Sequence, residues 1–304
     1  MPFGARLRAI KKPALPSVQI VLGPTAVGKT EYAIHLAKQK NGEVISADSM
    51  QVYRGMNIGT NKPSMGEREG IPHYLIDIRD PNESWTVADF VRETEKLIRE
   101  ITDRGKLPII AGGTGFYLWA FLEGLPFPAL TVNAAIREKL LDEAENKGGE
   151  HLYEKLRKSD PAAAQKIHPN NTKRVIRALE VLELSGRPFS SFERGVGANE
   201  KYSLSITGLT LPREQLHKRI NARVEKFMAR GLTSEVRELL EKGYSAQLPS
   251  MQALGYKETI QYLHGEWDEK KLIGEIKKRT RHFAKRQYVW FRRFEDVEWL
   301  EAGY

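Results

Sequence analysis

The sequence predicts an α/β fold, in which helices flank a parallel sheet and an all-helical segment is inserted. Three observations predict it. Short apolar runs alternate with amphipathic segments in the first 130 residues, a glycine-rich turn follows the first run, and residues 131–199 contain few strand-like runs. Alternating strands and helices are typical of parallel sheets whose faces are covered by the helices. With 304 residues, the chain is long enough for one large or two modest domains.

The first part of the chain alternates strand and helix. The apolar run Val18–Leu22 stops at Gly23, which is typical of a buried strand followed by a tight turn. The third predicted strand ends at a second glycine pair, Gly112 and Gly113. Strands are predicted over 18–22, 42–48 and 106–111, and helices over 29–40 and 87–103.

The character of the sequence changes near Pro126 and Pro128. Helices are predicted over 134–145, 150–158 and 172–185, a strand over 202–208, and helices alone thereafter, over 213–231, 233–242, 256–263 and 268–293. We therefore expect an α/β core made of residues 1–130 and 200–304, with residues 131–199 as the helical insertion. Residues 1–16 hold basic residues and three prolines and are expected to be a loose lead-in.

The composition narrows the possible functions. Lys and Arg number 48 and Asp and Glu 39, so the net charge is +9 and the partner is expected to be an anion: nucleic acid, a phosphorylated substrate or an acidic membrane face. The chain has no cysteine, which excludes disulfides, thiolate metal sites and a thiol nucleophile. No run approaches the ~18 apolar residues of a membrane span, and the N-terminus lacks the apolar core of a secretory signal. We expect a cytoplasmic protein that does not bind a membrane.

The turn after the first strand matches a phosphate-binding motif. Its sequence, Gly23-Pro24-Thr25-Ala26-Val27-Gly28-Lys29-Thr30, fits G-x-x-x-x-G-K-[ST] between a strand and a helix. Glycines let backbone N–H groups surround a phosphate, the helix N-terminus favours an anion, Lys29 neutralises it, and Thr30 can bind Mg²⁺. The sheet is therefore expected to be P-loop NTPase-like, with a diphosphate or triphosphate bound at this turn.

The acidic residue expected of a phosphoryl-transfer enzyme is missing. Such an enzyme places an Asp after another strand to help hold Mg²⁺, but the third strand here leads into Thr114. An acid follows the second strand instead, at Asp48. Ligands of open α/β sheets bind at the carboxyl ends of the strands, so both residues are expected beside the phosphate loop. The alternative is that Asp48 is a turn or cap residue and that the Thr114 hydroxyl caps a helix.

Several long motifs resemble those of the bacterial tRNA dimethylallyltransferases, also called tRNA isopentenyltransferases. They occur in the right order and together span about residues 18–294. The family often has Asp at the position of Asn57, and no catalytic role depends on it. The motifs are residues 23–30, 45–60 with Lys62-Pro63, 112–118, 174–180, 251–257, and 280–287 with 290–292.

The resemblance implies a reaction on RNA. The family transfers the dimethylallyl group of dimethylallyl diphosphate to N6 of adenosine 37, beside the anticodon of tRNAs that read codons beginning with U. Because the exocyclic amine of adenine is a poor nucleophile, a base must take its proton as the new bond forms. The resemblance places that base at Asp48. It implies that Thr114 positions the amine or the bridging oxygen, and that the phosphate loop with Mg²⁺ on Thr30 stabilises the leaving diphosphate.

The same resemblance implies the tRNA contacts. An adenine must leave the loop stack before its N6 can be modified. Without the resemblance, the basic face of the predicted helix 172–185 would be interpreted as a solvated surface. The basic, aromatic segment 271–293 would be interpreted as a core helix whose aromatic side chains point inward and whose cations point outward. We expect a monomer. The tRNA-binding residues implied by the family are Asp48, Ser49, Met50, Gln51, Thr114, Arg137, Lys173, Arg174 and Arg177.

Three other functions share some of these features. A P-loop kinase has the same loop but needs an acid after the third strand and has no use for the basic C-terminal segment. An adenylate isopentenyltransferase, which prenylates free AMP, shares the loop and Asp48, whereas the helical insertion and basic tail favour a large RNA. A nucleic-acid-binding protein with a vestigial loop is disfavoured because Gly28, Lys29 and Thr30 are intact.

Overall fold

A computed structural model gives the fold and describes residues 15–125, 134–192 and 197–303. The chain forms two compact units, Met1–Leu122 with Ala198–Tyr304, and Glu123–Gly197. The predicted lead-in lies outside the described residues except for positions 15 and 16, as does the change of character at Pro126 and Pro128. Within the described ranges, no helix combines the length and apolar character needed to cross a bilayer.

The first unit contains a six-stranded sheet in which every pairing is parallel. Its strands are β1 (Ser17–Leu22), β2 (Gly42–Ser46), β3 (His73–Tyr74), β4 (Leu107–Gly112), β5 (Ser203–Thr210) and β6 (Val297–Glu301). They lie in the order β3-β2-β4-β1-β5-β6. The register places Leu22, the last residue of β1, beside Gly112 on one side and Gly208 on the other. Sequence-distant turns therefore meet at the carboxyl edge of the sheet, as the predicted α/β class requires.

Helices of the first unit cover both faces of its sheet. The first unit contains α1 (Lys29–Lys40), α2 (Val87–Asp103) and α3 (Gly115–Glu123), the last residue of which belongs to the second unit. The second unit contains α4 (Ala134–Lys147), α5 (Gly149–Ser159), α6 (Pro161–Lys166) and α7 (Thr172–Ser185). The chain returns to the first unit with α8 (Ala198–Lys201), α9 (Arg213–Ala229), α10 (Leu232–Glu241), α11 (Tyr256–Leu263) and α12 (Glu269–Phe291). Helix α2 begins with a capping box between Thr86 and Asp89.

The core of the first unit lies on the two faces of the sheet. Ile20 and Leu22 of β1 point into a cluster shared with α2 and α3, whereas Val21 points into a cluster shared with α1 and α9. Side chains alternate along a strand, and both directions are buried here, so β1 is apolar throughout. This packing fixes the strand ends that carry the polar turns.

The second unit has a core of its own. Helices α4, α5 and α7 meet around Leu140, Leu152 and Leu179, all of which are fully buried. The buried carboxylate of Asp160 caps α6 and also accepts hydrogen bonds from Ser190. The unit is helical throughout its described residues, with one 3₁₀ turn at Phe189–Ser191.

Most predicted elements agree with the structure to within a few residues, and α1, α2, α7 and α11 agree in full. The expectation that helices alone follow residue 210 was wrong, because β6 forms the edge of the sheet. This strand is short and carries two glutamates, so its composition does not resemble that of the buried strands. Strand β3 and helix α3 were not predicted. Strand β3 has only two residues, and α3 follows a glycine-rich run that obscures where the helix begins.

Candidate active site

The phosphate loop has a backbone that only glycine accommodates at its first residue. A Cβ atom on Gly23 would lie 2.7 Å from the Leu209 carbonyl oxygen, and its φ is +153°. The loop closes at Gly28, which adopts a left-handed conformation at φ 109° and precedes the first turn of α1. The loop therefore packs tightly on the end of β5 and presents the N-terminus of α1 to the cleft.

Lys29 has an unusual environment for a lysine. Its ammonium donates to the Pro24 carbonyl at 2.8 Å, inside the loop itself. Burial and the positive charge of Arg223 lower the pKa of Lys29 to about 7, and the negative charges of Asp48 and Glu31 oppose this only in part. Near neutral pH the Lys29 amine is therefore only partly protonated, and a bound anion would favour its charged form.

A second cation, Arg223 of α9, lies against the same loop. Its Nη1 donates to the Thr25 hydroxyl at 3.0 Å, and among the described residues no carboxylate pairs with it. Burial lowers the pKa of the guanidinium. One turn earlier, Arg219 donates to the Val27 carbonyl at 3.3 Å. Sequence reasoning missed both arginines, although their spacing of four residues places them on one face of a helix.

Asp48 and Thr114 lie together at the carboxyl edge of the sheet. Oδ1 of Asp48 accepts the backbone N–H groups of Met50 at 2.8 Å and Gln51 at 3.2 Å, which makes it a turn residue. Among the described residues, no donor bonds to the other oxygen, Oδ2. The Thr114 hydroxyl accepts from the Ser49 N–H at 3.1 Å, so its own hydrogen remains available. One carboxylate oxygen therefore holds the turn, and the other has no hydrogen bond within the described residues.

The residues after Asp48 are already engaged within the protein. The side-chain oxygen of Gln51 accepts from Ser46 at 3.0 Å, and its NH₂ group donates to the carbonyls of Thr60 and Asn61 at 3.3 and 3.4 Å. Met50 packs against the core, and the backbone of Ser49 is held by Thr114. An adenine edge that reaches Gln51 must therefore share or replace the two long bonds of the NH₂ group.

Lys29, Arg223, Asp48 and Gln51 line one cleft in the first unit, whereas Ser49, Met50 and Thr114 are not among its lining residues. It is polar, and it brings the loop cations to the same space as the carboxylate. Its walls are Thr25, Ala26, Gly28, Lys29, Thr30, Glu31, Asp48, Gln51, Thr60, Asn61, Gly113, Arg223, Phe283 and Gln287. An anion placed on the loop therefore lies in the same cleft as Asp48.

A magnesium ion fits this donor set only if the ligand shares in holding it. Within the described residues, no group of three or more His, Cys, Asp or Glu side chains is arranged to hold a metal. Thr30 lines the cleft and offers a hydroxyl oxygen. Mg²⁺ is commonly held by one or two protein oxygens together with phosphate oxygens and water, so Thr30 and a bound diphosphate suit it.

The predicted RNA-contacting cations of the second unit lie on α4 and α7. Lys173 and Arg174 are exposed in the first turn of α7, and Arg137 is exposed on α4. Arg177 differs, because its guanidinium bonds to the fully buried carboxylate of Glu180 at 2.9 Å. The opposite face of α7 is buried in the core of the unit. The structure places all four cations on helices, and it leaves three of them exposed.

Several cations in the basic segment on α12 are bonded to other groups of the protein. Phe283 is 37% exposed, so the expectation that the aromatic side chains of this helix all point inward was wrong. Arg286 stacks over the Phe283 ring and Arg293 over the Trp290 ring. Several cations are paired with protein groups and are not free for phosphates: Lys277 with Glu225, Lys278 with Glu275, Arg279 with Glu258 and Glu275, and Arg281 with Asn221.

Comparison with known proteins assigns the family. A family model described as IPP transferase matches residues 51–294. The chain belongs to this family. The predicted resemblance to tRNA dimethylallyltransferases is therefore confirmed, and so is the fold class.

Relatives of the IPP transferase family match nearly the whole chain. The tRNA dimethylallyltransferase of Alkaliphilus metalliredigens is 49% identical over 282 residues, which cover 93% of this chain and 90% of the relative. That of Carboxydothermus hydrogenoformans is 48% identical over 285 residues, covering 93% and 91%.

Solved structures of family members are also similar. The full-length tRNA isopentenylpyrophosphate transferase of Bacillus halodurans is 44% identical with a TM-score of 0.69, covering 94% of this chain and 90% of that one. A eukaryotic dimethylallyltransferase acting on tRNA is 32% identical with a TM-score of 0.81, covering 94% and 74%. The family is thus supported by sequence and by structure.

Proposed function

We propose that the protein is a tRNA dimethylallyltransferase. It transfers the dimethylallyl group of dimethylallyl diphosphate to N6 of adenosine 37 in tRNAs reading codons that begin with U, giving N6-dimethylallyladenosine and diphosphate. One observation carries the proposal: in a chain of the IPP transferase family, a phosphate loop with two desolvated cations lines the same cleft as a carboxylate with one unbonded oxygen. This arrangement provides for an anionic leaving group and for a proton acceptor.

The phosphate loop binds and stabilises the leaving diphosphate. As the bond between C1 of the dimethylallyl group and the diphosphate oxygen breaks, the electron pair leaves with the diphosphate. Lys29, Arg223 and the N–H groups at the start of α1 stabilise the negative charge that develops there, and the partly buried setting strengthens their effect. Thr30 is the residue that would hold Mg²⁺, through its hydroxyl oxygen. When bound, the ion neutralises part of the diphosphate charge.

Asp48 takes the proton from the nucleophile. The N6 lone pair of adenine forms the new bond to C1, and one N6 proton moves to Oδ2 of Asp48, so charge and atoms balance. The Oδ1 bonds to the Met50 and Gln51 N–H groups hold the carboxylate in place during this transfer. The Thr114 hydroxyl, anchored by the Ser49 N–H, donates its hydrogen to the bridging oxygen or orients the amine.

The RNA is held over a wider surface. The flipped adenosine contacts Asp48, Ser49, Met50, Gln51 and Thr114, while phosphates of the anticodon stem-loop contact the exposed cations. Because phosphate contacts are additive and sequence-independent, they position the RNA and leave the choice of base to the cleft. The cations assigned to this role are the exposed Arg137, Lys173 and Arg174, together with the half-buried Arg177, which is paired with Glu180. We also propose that the protein acts as a monomer in the cytoplasm.

The experiment is transfer of labelled dimethylallyl from its diphosphate to unmodified tRNA with A36-A37-A38, in the presence of Mg²⁺. AMP as acceptor and ATP as donor are the parallel reactions. Label on A37 alone is the expected result. Label on AMP alone would assign the protein to the adenylate isopentenyltransferases, and phosphate transfer from ATP would assign it to the kinases.

A further inference from the structure

Gln287 of α12 joins two turns of the active site. Its side chain is buried, with 4% of its surface exposed, and lies 262 positions from Thr25 in sequence. Its Oε1 accepts the Thr25 N–H at 2.8 Å, and its Nε2 donates to the Gly113 carbonyl at 2.9 Å. The first contact is in the phosphate loop, and the second is in the turn that leads to Thr114.

A side chain at position 113 would push the Gln287 amide out of its present place. A Cβ atom on Gly113 would lie 2.4 Å from Nε2 of Gln287. On the other side, Thr25 is fixed twice, at its N–H by Gln287 and at its hydroxyl by Arg223. The amide therefore sits between two backbone segments that cannot shift without losing a hydrogen bond inside the protein.

We propose that Gln287 is a positioning residue for the transfer reaction, and this rests on the proposed function. It ties Thr25 to Gly113 and so sets the separation between the phosphate loop, with Lys29 and Thr30, and the turn that carries Thr114. Because its Oε1 uses the Thr25 N–H, the diphosphate is bound by N–H groups further along the loop. Gln287 does not touch the reacting atoms.

The chemistry of the two contacts requires an amide. One backbone group is a donor and the other an acceptor, and a neutral side chain that offers both matches them. A carboxylate accepts from Thr25 but cannot donate to the Gly113 carbonyl, and its charge repels a diphosphate. Alanine satisfies neither group and leaves both buried.

The test compares Gln287→Ala with Gln19→Ala. Gln19 is a matched control, because it is 5% exposed on β1 and its Nε2 donates to the Thr207 hydroxyl at 3.1 Å, away from the cleft. We expect Gln287→Ala to raise the Kd for inorganic diphosphate and to lower kcat, each by about 10-fold, because two hydrogen bonds are lost. The KM for tRNA stays within about 2-fold. Gln19→Ala lowers Tm and leaves these constants unchanged.

Gln287→Glu supplies a readout that a merely structural role would not give. When ionised, the carboxylate weakens diphosphate binding more than alanine does. When protonated, it both donates and accepts, so activity relative to wild type at the same pH recovers on acidification. Gln287→Ala shows no such recovery.

Three results separate this proposal from the proposed function. Normal diphosphate affinity and kcat in both Gln287 variants, after correction for the folded fraction, would overturn the positioning role. The same holds if both variants lose Tm without the pH-dependent recovery. A wild-type protein that binds diphosphate in a Gln287-dependent way but transfers no dimethylallyl group would instead refute the proposed function and leave Gln287 as a determinant of the anion site.

Discussion

The cleft and the exposed face of α7 both collect positive charge, yet they do so in opposite ways. In the cleft, Lys29 and Arg223 are desolvated, and both have lowered pKa values. On α7, Lys173 and Arg174 project into solvent, and Arg177 is neutralised by Glu180. Charges in a low-dielectric site interact several times more strongly than charges in water, where salt also screens them. Single residues should therefore decide the chemistry, and many residues should share the RNA binding.

The largest effect is expected at Asp48. Asp48→Asn removes the proton acceptor while keeping the shape of the turn, and should lower the single-turnover rate by about 10²–10⁴-fold. The Kd for tRNA should change little, since the surface cations remain. Rapid-quench assays with saturating substrates measure the rate, and filter binding measures the affinity. Equal losses of rate and affinity would show that Asp48 holds the RNA and is not the base.

The next largest effect is expected at the two desolvated cations. Lys29→Met and Arg223→Met should each weaken the binding of inorganic diphosphate by about 10- to 100-fold, because a charge-assisted bond in a sheltered site is lost. Lys40→Met is the matched control, since Lys40 is exposed at the other end of α1. Calorimetric titration measures all three. If the control loses as much affinity as Lys29→Met, the loop is not the anion site.

A smaller effect is expected from pH. The pKa of Lys29 is about 7 in the free protein, and a bound anion favours its charged form and raises that pKa. Affinity should therefore be highest below pH 7 and fall as the pH rises through this value, with one proton taken up on binding near pH 8. Titrations in buffers of different ionisation enthalpy measure the uptake, after subtraction of that of free diphosphate. Lys29→Met should abolish it, and an unchanged uptake would refute the assignment.

The smallest effects are expected on α7. Lys173→Ala and Arg174→Ala should each weaken tRNA binding by about 3- to 10-fold and reduce the slope of log K against log salt by about 0.7–0.9, without changing kcat at saturating tRNA. Arg157→Ala, in an exposed pair with Glu154 on α5, is the control. Salt slopes that are the same for all three variants would remove α7 from the RNA interface.

What the sequence predicted correctly depends on short-range signals. The turn between β1 and α1 is eight consecutive residues, and the apolar spacing that predicts α2 and α7 lies within each helix. Asp48 and Thr114 were placed together because parallel strands end at one edge of a sheet, and the Ser49–Thr114 bond agrees with this.

What the sequence did not predict depends on contacts between distant segments. Arg223 and Gln287 reach Thr25 across 198 and 262 positions, through the packing of α9 and α12. The sequence around Arg223 does not distinguish it from a surface cation. Gln287 ends the family motif 280–287, but no local signal shows that its side chain reaches Thr25 and Gly113. The outward position of Phe283 likewise follows from which face of α12 is buried, and that face is set by its packing partners.

The position of β1 in the middle of the sheet has a consequence for biosynthesis. It precedes the other strands of the described residues in sequence, yet its neighbour β5 begins at Ser203, and the amide that steadies Thr25 is supplied only by residue 287. N-terminal segments emerge from the ribosome first and wait for later partners. A nascent chain that stops before residue 203 leaves one edge of β1 open, and such edges invite aggregation. Only a polypeptide that extends past residue 287 can therefore form the cleft, so fragments that terminate earlier should be inactive and dependent on chaperones.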